Sequence, residues 1–461
     1  MPGRSTRVLE GGRVLVGGSP VRLLRLGPGA AALAGAWLAG APVHGTAKER
    51  ALARRLLDAG LAHPRPPGPG PGPDQVTVVV PVRDRPRELG RLLAALGGLR
   101  VVVVDDGSLR PDLVEREVVG AGADLVALPR NAGPATASNT GLARATTPFV
   151  AFVDSDCTPP PGWLSPLLAH FDDPLVGAVA PRVVAAPGTG RAWLDAYEQA
   201  RSPLDRGSAE GPVRPGSSVH FVPTAALVVR RHAVGARSFD EDLGAGEDVD
   251  FVWRLQAAGW SVRFEPSSEV LHDPRRGLRP WLGQRAGYGA SAGPLARRHG
   301  GHLAPVVVPG WTAAVWALML ARRPRAALAV GALQTALLAR RLRPVVHHAG
   351  REATILTASG SWRAARPLLG SLGRTYAPVA LAAAATGRFR RAGLALLLAP
   401  AAVDWWATRP PLDPFRYALA HAADDVAYGA GLWAGCLRAR TGRPLVPRVV
   451  LRRAAVPTPR S

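Results

Sequence analysis

The sequence predicts an α/β protein: a doubly wound, mostly parallel sheet, preceded by a small α+β domain and followed by a helical region. Three observations predict it. Short continuous apolar runs at 76–80, 101–104, 125–128 and 149–153 have the pattern of parallel strands covered on both faces. Helical stretches at 87–96, 112–119 and 135–145 separate them, as βαβ units require. The composition is 47% hydrophobic and 20% charged with two cysteines, which excludes wholesale disorder, a coiled coil and a disulfide scaffold.

In chain order, residues 1–63 read as a small domain. Val8 and Val14 to Val16 flank glycine pairs in a hairpin pattern, and two helices follow at 30–38 and 47–61. In the second helix Leu52, Leu56 and Leu57 share one face. PRPPGPGPGP at 64–73 supports neither a helix nor a central strand, so 64–74 is a linker. The sheet domain is expected over 75–300, with later strands at 177–184, 225–229 and 262–264. Residues 301–461 alternate uncharged runs with arginine clusters. The longest run, 303–321, has 19 residues and is interrupted by Pro305, Pro309 and Gly310. A clean span needs about 20 apolar residues, so these are expected to be helices that touch lipid. Two shallow spans turning at 322–325 are the alternative.

The charge is unevenly placed. The net charge is +23, and Lys48 is the single lysine. Residues 1–274 hold 29 basic and 29 acidic side chains, whereas 275–461 hold 28 arginines and 5 acids. Arginine beside Trp311, Trp316, Trp405 and Trp406, all within apolar runs, fits an anionic membrane surface and argues against a nucleic-acid binder. The first 25 residues lack an apolar signal core, so the catalytic parts are expected at the cytoplasmic face, with Cys157 and Cys436 free.

Four features fall at strand ends, where α/β sheets bind ligands. Pro81, Val82 and Arg83 follow the first strand. Asp105-Asp106-Gly107-Ser108 follows the second; a carboxylate there can accept a uracil N3–H or a ribose hydroxyl, or simply close an Asx turn. Asp154-Ser155-Asp156 follows the fourth; two acids so close call for a hard divalent cation, which would also hold a diphosphate, unless they form a solvated loop with a helix-capping Asp. Glu247 and Asp248 open a helix at GEDVDFVWRL, either as first-turn acids or with one as a general base. His272, directly after an apolar pair, could be a further metal ligand. Arg285 and Tyr288 could close over the diphosphate or acceptor, although a packing helix with one aromatic anchor is the plainer reading.

The strings VVVPVRDR, VVVVDDGS, PRNAGPATASNTGL, VAFVDSD, GEDVDFVWRL and VLH, taken as a set over about 76–273, resemble the family 2 inverting glycosyltransferases of GT-A fold. The resemblance implies a nucleotide-sugar donor. Asp105, with the Pro81–Arg83 loop and Asp106, would hold the base. Asn131, Gly133 and Asn139 would shape the donor pocket, and Asp154, beside Ser155, would contact ribose. Asp156 and His272 would hold Mg²⁺ or Mn²⁺, and Asp248, beside Glu247, would be the base for inversion. The N-terminal GGRVLVGGSPVRLLRL, the PRPP linker and VVVPVRDRP resemble more narrowly the mycofactocin-system transferases of actinobacteria. That implies glucose, from UDP-glucose, and a small peptide-derived redox cofactor as acceptor, with residues 1–63 similar to winged-helix peptide-recognition domains. A cell-wall lipid or polysaccharide acceptor is the alternative.

Overall fold

The computed structural model describes residues 1–188, 192–235, 238–275 and 277–450. They form two compact units, Met1–Gly277 and Leu278–Ser461.

The first unit begins with strands β1 (Arg7–Leu9), β2 (Val14–Gly17) and β3 (Arg22–Arg25) in an antiparallel sheet. Helices α1 (Pro28–Leu38) and α2 (Ala47–Asp58) cover it. Leu15, Leu24, Leu56 and Leu61 form a core of their own. Thr46 starts α2 with a capping box, exchanging hydrogen bonds with Glu49. This layer is tied to the large sheet at its base. Arg54 reaches Asp173 at 2.7 Å, and Arg65 grips both carboxylate oxygens of Glu210 at 2.7 and 2.5 Å.

The large sheet is built from β4 (Val76–Val82), α3 (Pro86–Ala95), β5 (Arg100–Asp105), α4 (Pro111–Ala121), β6 (Asp124–Ala127), α5 (Pro134–Arg144) and β7 (Phe149–Val153). Then come β8 (Cys157–Thr158), α6 (Ser165–Leu168), β9 (Val176–Ala185), α7 (Ala192–Arg201), β10 (Gly211–Pro212), β11 (Ala226–Arg230), α8 (Glu247–Ala257) and β12 (Ser261–His272). The order is β10-β12-β9-β11-β7-β4-β5-β6, with β8 added against β12. Strands β7, β4, β5 and β6 are parallel, while β11 runs antiparallel between β7 and β9.

Proline at the first turn pre-sets φ and starts α3, α4 and α5 immediately after the strand-end loops. Along the buried strands the side chains alternate between two helical layers. Val78, Val80 and Val103 pack with Leu89, Leu92, Val114 and Val118, and Val102 and Val104 pack with Ala137. Helix α5 lies so close to the sheet that a Cβ on Gly141 would stand 2.2 Å from Val79 Cγ1. One correction concerns β12. The strand expected at 262–264 runs from Ser261 on through the 270–271 pair to His272, with a register shift between Glu265 and Glu269.

The second unit contains α9 (Leu278–Ala290), α10 (Ala292–His299), β13 (Val307–Pro309), α11 (Gly310–Leu320), α12 (Pro324–Leu342), α13 (Ala349–Ala385), α14 (Arg390–Thr408), α15 (Pro414–Arg438) and β14 (Arg448–Val450). Residues 451–461 of the basic tail lie outside the described residues. Among the described residues no helix is long and apolar enough to cross a membrane. Where two shallow spans were the alternative, α11 starts only after Pro309 and has 11 residues, and α12 carries Arg325 in its first turn and Arg340 and Arg341 in its last.

Candidate active site

The loops after β4, β5, β7 and β12 and the start of α8 carry the candidate chemistry. Asp105 ends β5 and is buried. Its Oδ1 accepts hydrogen bonds from the Ser108 N–H at 3.1 Å and the Ser108 hydroxyl at 2.5 Å, which is an Asx turn. Gly107 is needed within it: φ is +67°, and a Cβ would stand 2.5 Å from the Arg130 and Asn131 backbone. Asp106 turns to the neighbouring loop, accepting from the N–H groups of Ala132 at 2.6 Å and Gly133 at 3.0 Å. Asn131 Oδ1 also accepts from Gly133, at 3.2 Å. The β4 loop joins the same frame, because the Asp84 N–H donates to Ser108 Oγ at 2.9 Å and Asp84 Oδ1 accepts from Leu109 at 2.7 Å. Arg83 stands half-exposed beside Asp84. Pro81, Val82 and residues 105–108 thus form one cradle across β4 and β5, through the pairing of Val82 with Asp105.

Asn139 lies deeper. Its amide nitrogen donates to Phe239 O at 2.8 Å and Glu241 Oε1 at 2.9 Å, and its oxygen accepts from the Phe239 N–H at 2.9 Å. All three bonds hold the segment leading into α8. Asn139→Ala leaves these buried groups unpaired and is expected to cost about 2 kcal/mol or more of stability; chemical denaturation of both proteins measures it.

Beyond β7 stand Asp154, buried Ser155 and buried Asp156. Strand β12 returns alongside, pairing His272 with Cys157. His272 Nε2 thereby comes to 3.5 Å from Asp156 Oδ1. The other Asp156 oxygen accepts from Arg85. Cys157 and Cys436 are both free and buried.

Helix α8 enters through Gly246, which holds φ +85°, and presents Glu247 and Asp248 in its first turn. Asp248 Oδ1 accepts from the Val249 N–H at 2.7 Å. Burial pushes the Asp248 carboxyl up to about 6, against the pull of that N–H and of Arg206. Glu247 is pushed up to about 8 by burial, then by Asp248 and Asp154. Asp154 is pushed up to about 7 by burial and by Asp156, with Arg85 opposing. These acids resist ionising together, so the site favours added positive charge. Oxygen and imidazole donors from Asp156 and His272 suit a divalent ion. Among the described residues no group of three or more such side chains converges, so remaining ligands would come from substrate and water.

Two contacts of this surrounding carried no sequence signal. Arg206 packs over the Phe221 ring at 4.6 Å, and Trp253 Nε1 donates to His220 O at 2.7 Å. Their positions depend on loops far apart in sequence. Arg85 was visible within PVRDR, but its partner was not. Arg285 and Tyr288 are on α9 in the helical unit. Arg285 is fully buried and its charge is met by Asp424 at 3.3 Å, with Trp281 under its guanidinium at 5.2 Å. This corrects the expectation of an arginine open to the diphosphate or acceptor; the buried pairing matches the plainer reading of a packing helix.

The glycosyl transferase family 2 profile matches residues 77–234. A pre-mycofactocin glycosyltransferase of Mycobacterium tuberculosis is 44% identical over 97% of this chain and 96% of its own length. The chain belongs to the family 2 glycosyltransferases. An N-acetylglucosaminyltransferase of Rhizobium leguminosarum bv. trifolii is 36% identical over 21% of this chain and 56% of that protein. Among solved structures, a mannosyltransferase from Pyrobaculum calidifontis in complex with GDP-Man and Mn²⁺ aligns with TM-score 0.40 and 24% identity, covering 71% of this chain and 94% of that one. In this family 2 transferase the features expected from the sequence lie at the loops after β4 and β5, at the Asp-Ser-Asp turn after β7, and at the acidic start of α8, which follows β11.

Proposed function

We propose that this family 2 transferase moves glucose from UDP-glucose onto premycofactocin, with inversion, at the cytoplasmic face of the membrane. The observation that carries the catalytic part is the meeting of a half-buried carboxylate at the start of α8, Asp248, with the acids that follow β7. Support for the acceptor comes from the 44% identical pre-mycofactocin glycosyltransferase, matched over nearly its whole length.

The cradle of residues 81–83 and 105–108 binds the nucleoside, with Asp105 fixed by Ser108 so that its remaining lone pairs face the base. Asn131 and Gly133 shape the adjoining loop, and Asp154 lies where β7 ends, next to the ribose. Asp156 and His272 hold Mg²⁺ or Mn²⁺, which when bound supplies positive charge for the diphosphate. Asp248 takes the proton from the acceptor hydroxyl as that oxygen attacks the anomeric carbon from the face opposite the leaving diphosphate. Burial suits it to the task, since a carboxyl near 6 is ionised at neutral pH yet more basic than one in water. Glu247, held near 8, stays protonated beside it and adds no second negative charge. Arg85 turns its guanidinium to Asp156 and offsets the acidic cluster. The basic second unit attaches the enzyme to anionic lipid, and residues 1–63 recognise the acceptor's peptide-derived part.

Incubating the purified protein and Mn²⁺ with premycofactocin and, in turn, UDP-glucose and GDP-mannose tests this by product mass. One added hexose from UDP-glucose is expected. Transfer only from GDP-mannose, or none to this acceptor, overturns the assignment.

A further inference from the structure

The helical unit has an apolar corner that sugar transfer does not use. Helices α14 and α15 meet through residues 409–413. There Leu398, Ala402 and Trp406 of the first helix and Phe415 and Leu419 of the second surround a cavity of about 360 Å³, with Trp405 at its wall. That volume is within the range of small-ligand sites, ~300–1,000 Å³. The spacing 398, 402, 405 and 406 places one apolar face on α14, and 415 and 419 place another on α15. Helix packing does not cover this face: Trp406 is 65% and Phe415 71% exposed. Isolated exposed apolar residues need no explanation, but contiguous aromatic ones around a cavity do.

The corner is also held in shape. Trp405 Nε1 donates to Leu412 O at 2.8 Å, fixing the turn, and Tyr417 donates to Asp404. Arg409 closes α14 in the left-handed region at φ +47°. Its guanidinium lies 5.0 Å from the Trp405 ring and 5.8 Å from the Trp406 ring. Among the described residues it faces no carboxylate in an ion pair. Arg416, exposed on the first turn of α15, pairs with Asp413 at 3.5 Å.

We infer that this corner is a docking site for anionic phospholipid, taking acyl-chain segments between Trp406, Phe415 and Leu419 and a headgroup phosphate at Arg409 and Arg416. The inference rests on the membrane attachment proposed above and names where it happens. Charge decides the occupant. Residues 275–461 carry 28 arginines and 5 acids, so a second copy would bring like charge to the corner, whereas an anionic leaflet brings phosphates. Tryptophan and arginine together sit at the headgroup depth of a bilayer, with the ring in the apolar layer and the cation in the polar one. Docking from the surface also fits helices too short or too polar to cross.

Flotation of the full-length protein with vesicles of phosphatidylcholine, alone or mixed with phosphatidylglycerol, tests the inference. Wild type is expected to float with the mixed vesicles only, with its tryptophan emission quenched by brominated acyl chains. Trp406→Ser/Phe415→Ser and, separately, Arg409→Glu are expected to bind about tenfold more weakly or less. Melting curves and glucose transfer to soluble premycofactocin should match wild type, which shows the variants folded. If wild type ignores anionic vesicles, membrane attachment itself fails, and this site with it. If wild type binds and both variants bind equally well, attachment stands but lies elsewhere, and this site is overturned. If the aromatic variant changes only the mass by light scattering and not flotation, the corner joins two copies and the lipid assignment is overturned.

Discussion

Asp248→Asn is expected to lower kcat by about 10²–10⁴-fold while leaving the melting temperature unchanged or higher. The two effects separate because the same burial that makes Asp248 a strong base makes it a costly charge. Its carboxyl is pushed up to about 6 from an ordinary value of 3.8. The raised value means that the folded state holds the proton more tightly than the unfolded chain. The ionised group therefore costs stability, and the cost grows as pH rises from 3.8 to about 6 and stays above it. Asparagine removes the charge and keeps the shape and the bond from Val249. Wild-type kcat/KM should fall with an acid limb near pH 6, as the base is protonated, and the residual activity of Asp248→Asn should lose that limb. Steady-state rates across pH and a melting curve check all three statements. A near-normal rate in the variant would remove Asp248 from the role of base.

Asp156→Ala is expected to cost at least about 10²-fold in kcat, by the usual weight of a catalytic metal ligand. Two consequences accompany the loss. Mn²⁺ binding by calorimetry should disappear, since His272 alone remains of the pair 3.5 Å apart. Arg85 also loses its buried partner. His272→Ala should be milder, because it leaves the carboxylate and its Arg85 contact in place. Equal Mn²⁺ affinity in wild type and Asp156→Ala would show that the ion, if used, is held elsewhere.

Much of the site's outline was legible along the chain. Three apolar runs ending in Pro-Val-Arg, Asp-Asp-Gly-Ser and Asp-Ser-Asp say that polar residues wait at strand ends, because a buried strand must end where its charged residues meet solvent or ligand. The Gly-Glu-Asp start of α8 was legible for the same reason, as acids favour a helix N-terminus. The roles within the outline were less legible. Asn139 falls in a string that suggests the donor pocket, yet its amide binds Phe239 and Glu241 a hundred residues away. Asp106 looks like a second nucleotide-side acid, and both its carboxylate oxygens also hold the 132–133 backbone, a contact its sequence neighbours do not announce. Arg285, in a glycine-rich string with Tyr288, left a phosphate contact open beside the plainer packing reading, and it is a buried partner of Asp424. An arginine's neighbours in sequence do not report which acid folds against it.

By itself the sequence determined the strand and helix segments of the sheet, the proline-rich break before them, the strand-end acids, and the division of charge that leaves residues 275–461 with all of the +23. These are properties of consecutive residues: apolar runs, helix periodicity and turn chemistry act within about a dozen positions. Tertiary structure decided the pairings. The bulge between Glu265 and Glu269 lets β12 run on to His272, which then faces Cys157 and reaches Asp156. The loops on either side of β10 bring Arg206 over Phe221 and its charge to bear on Asp248. The corner of Trp406 and Phe415 likewise exists only because α14 and α15 fold back on one another. Contacts between distant segments depend on the packing of whole layers, and no short stretch of chain encodes that packing.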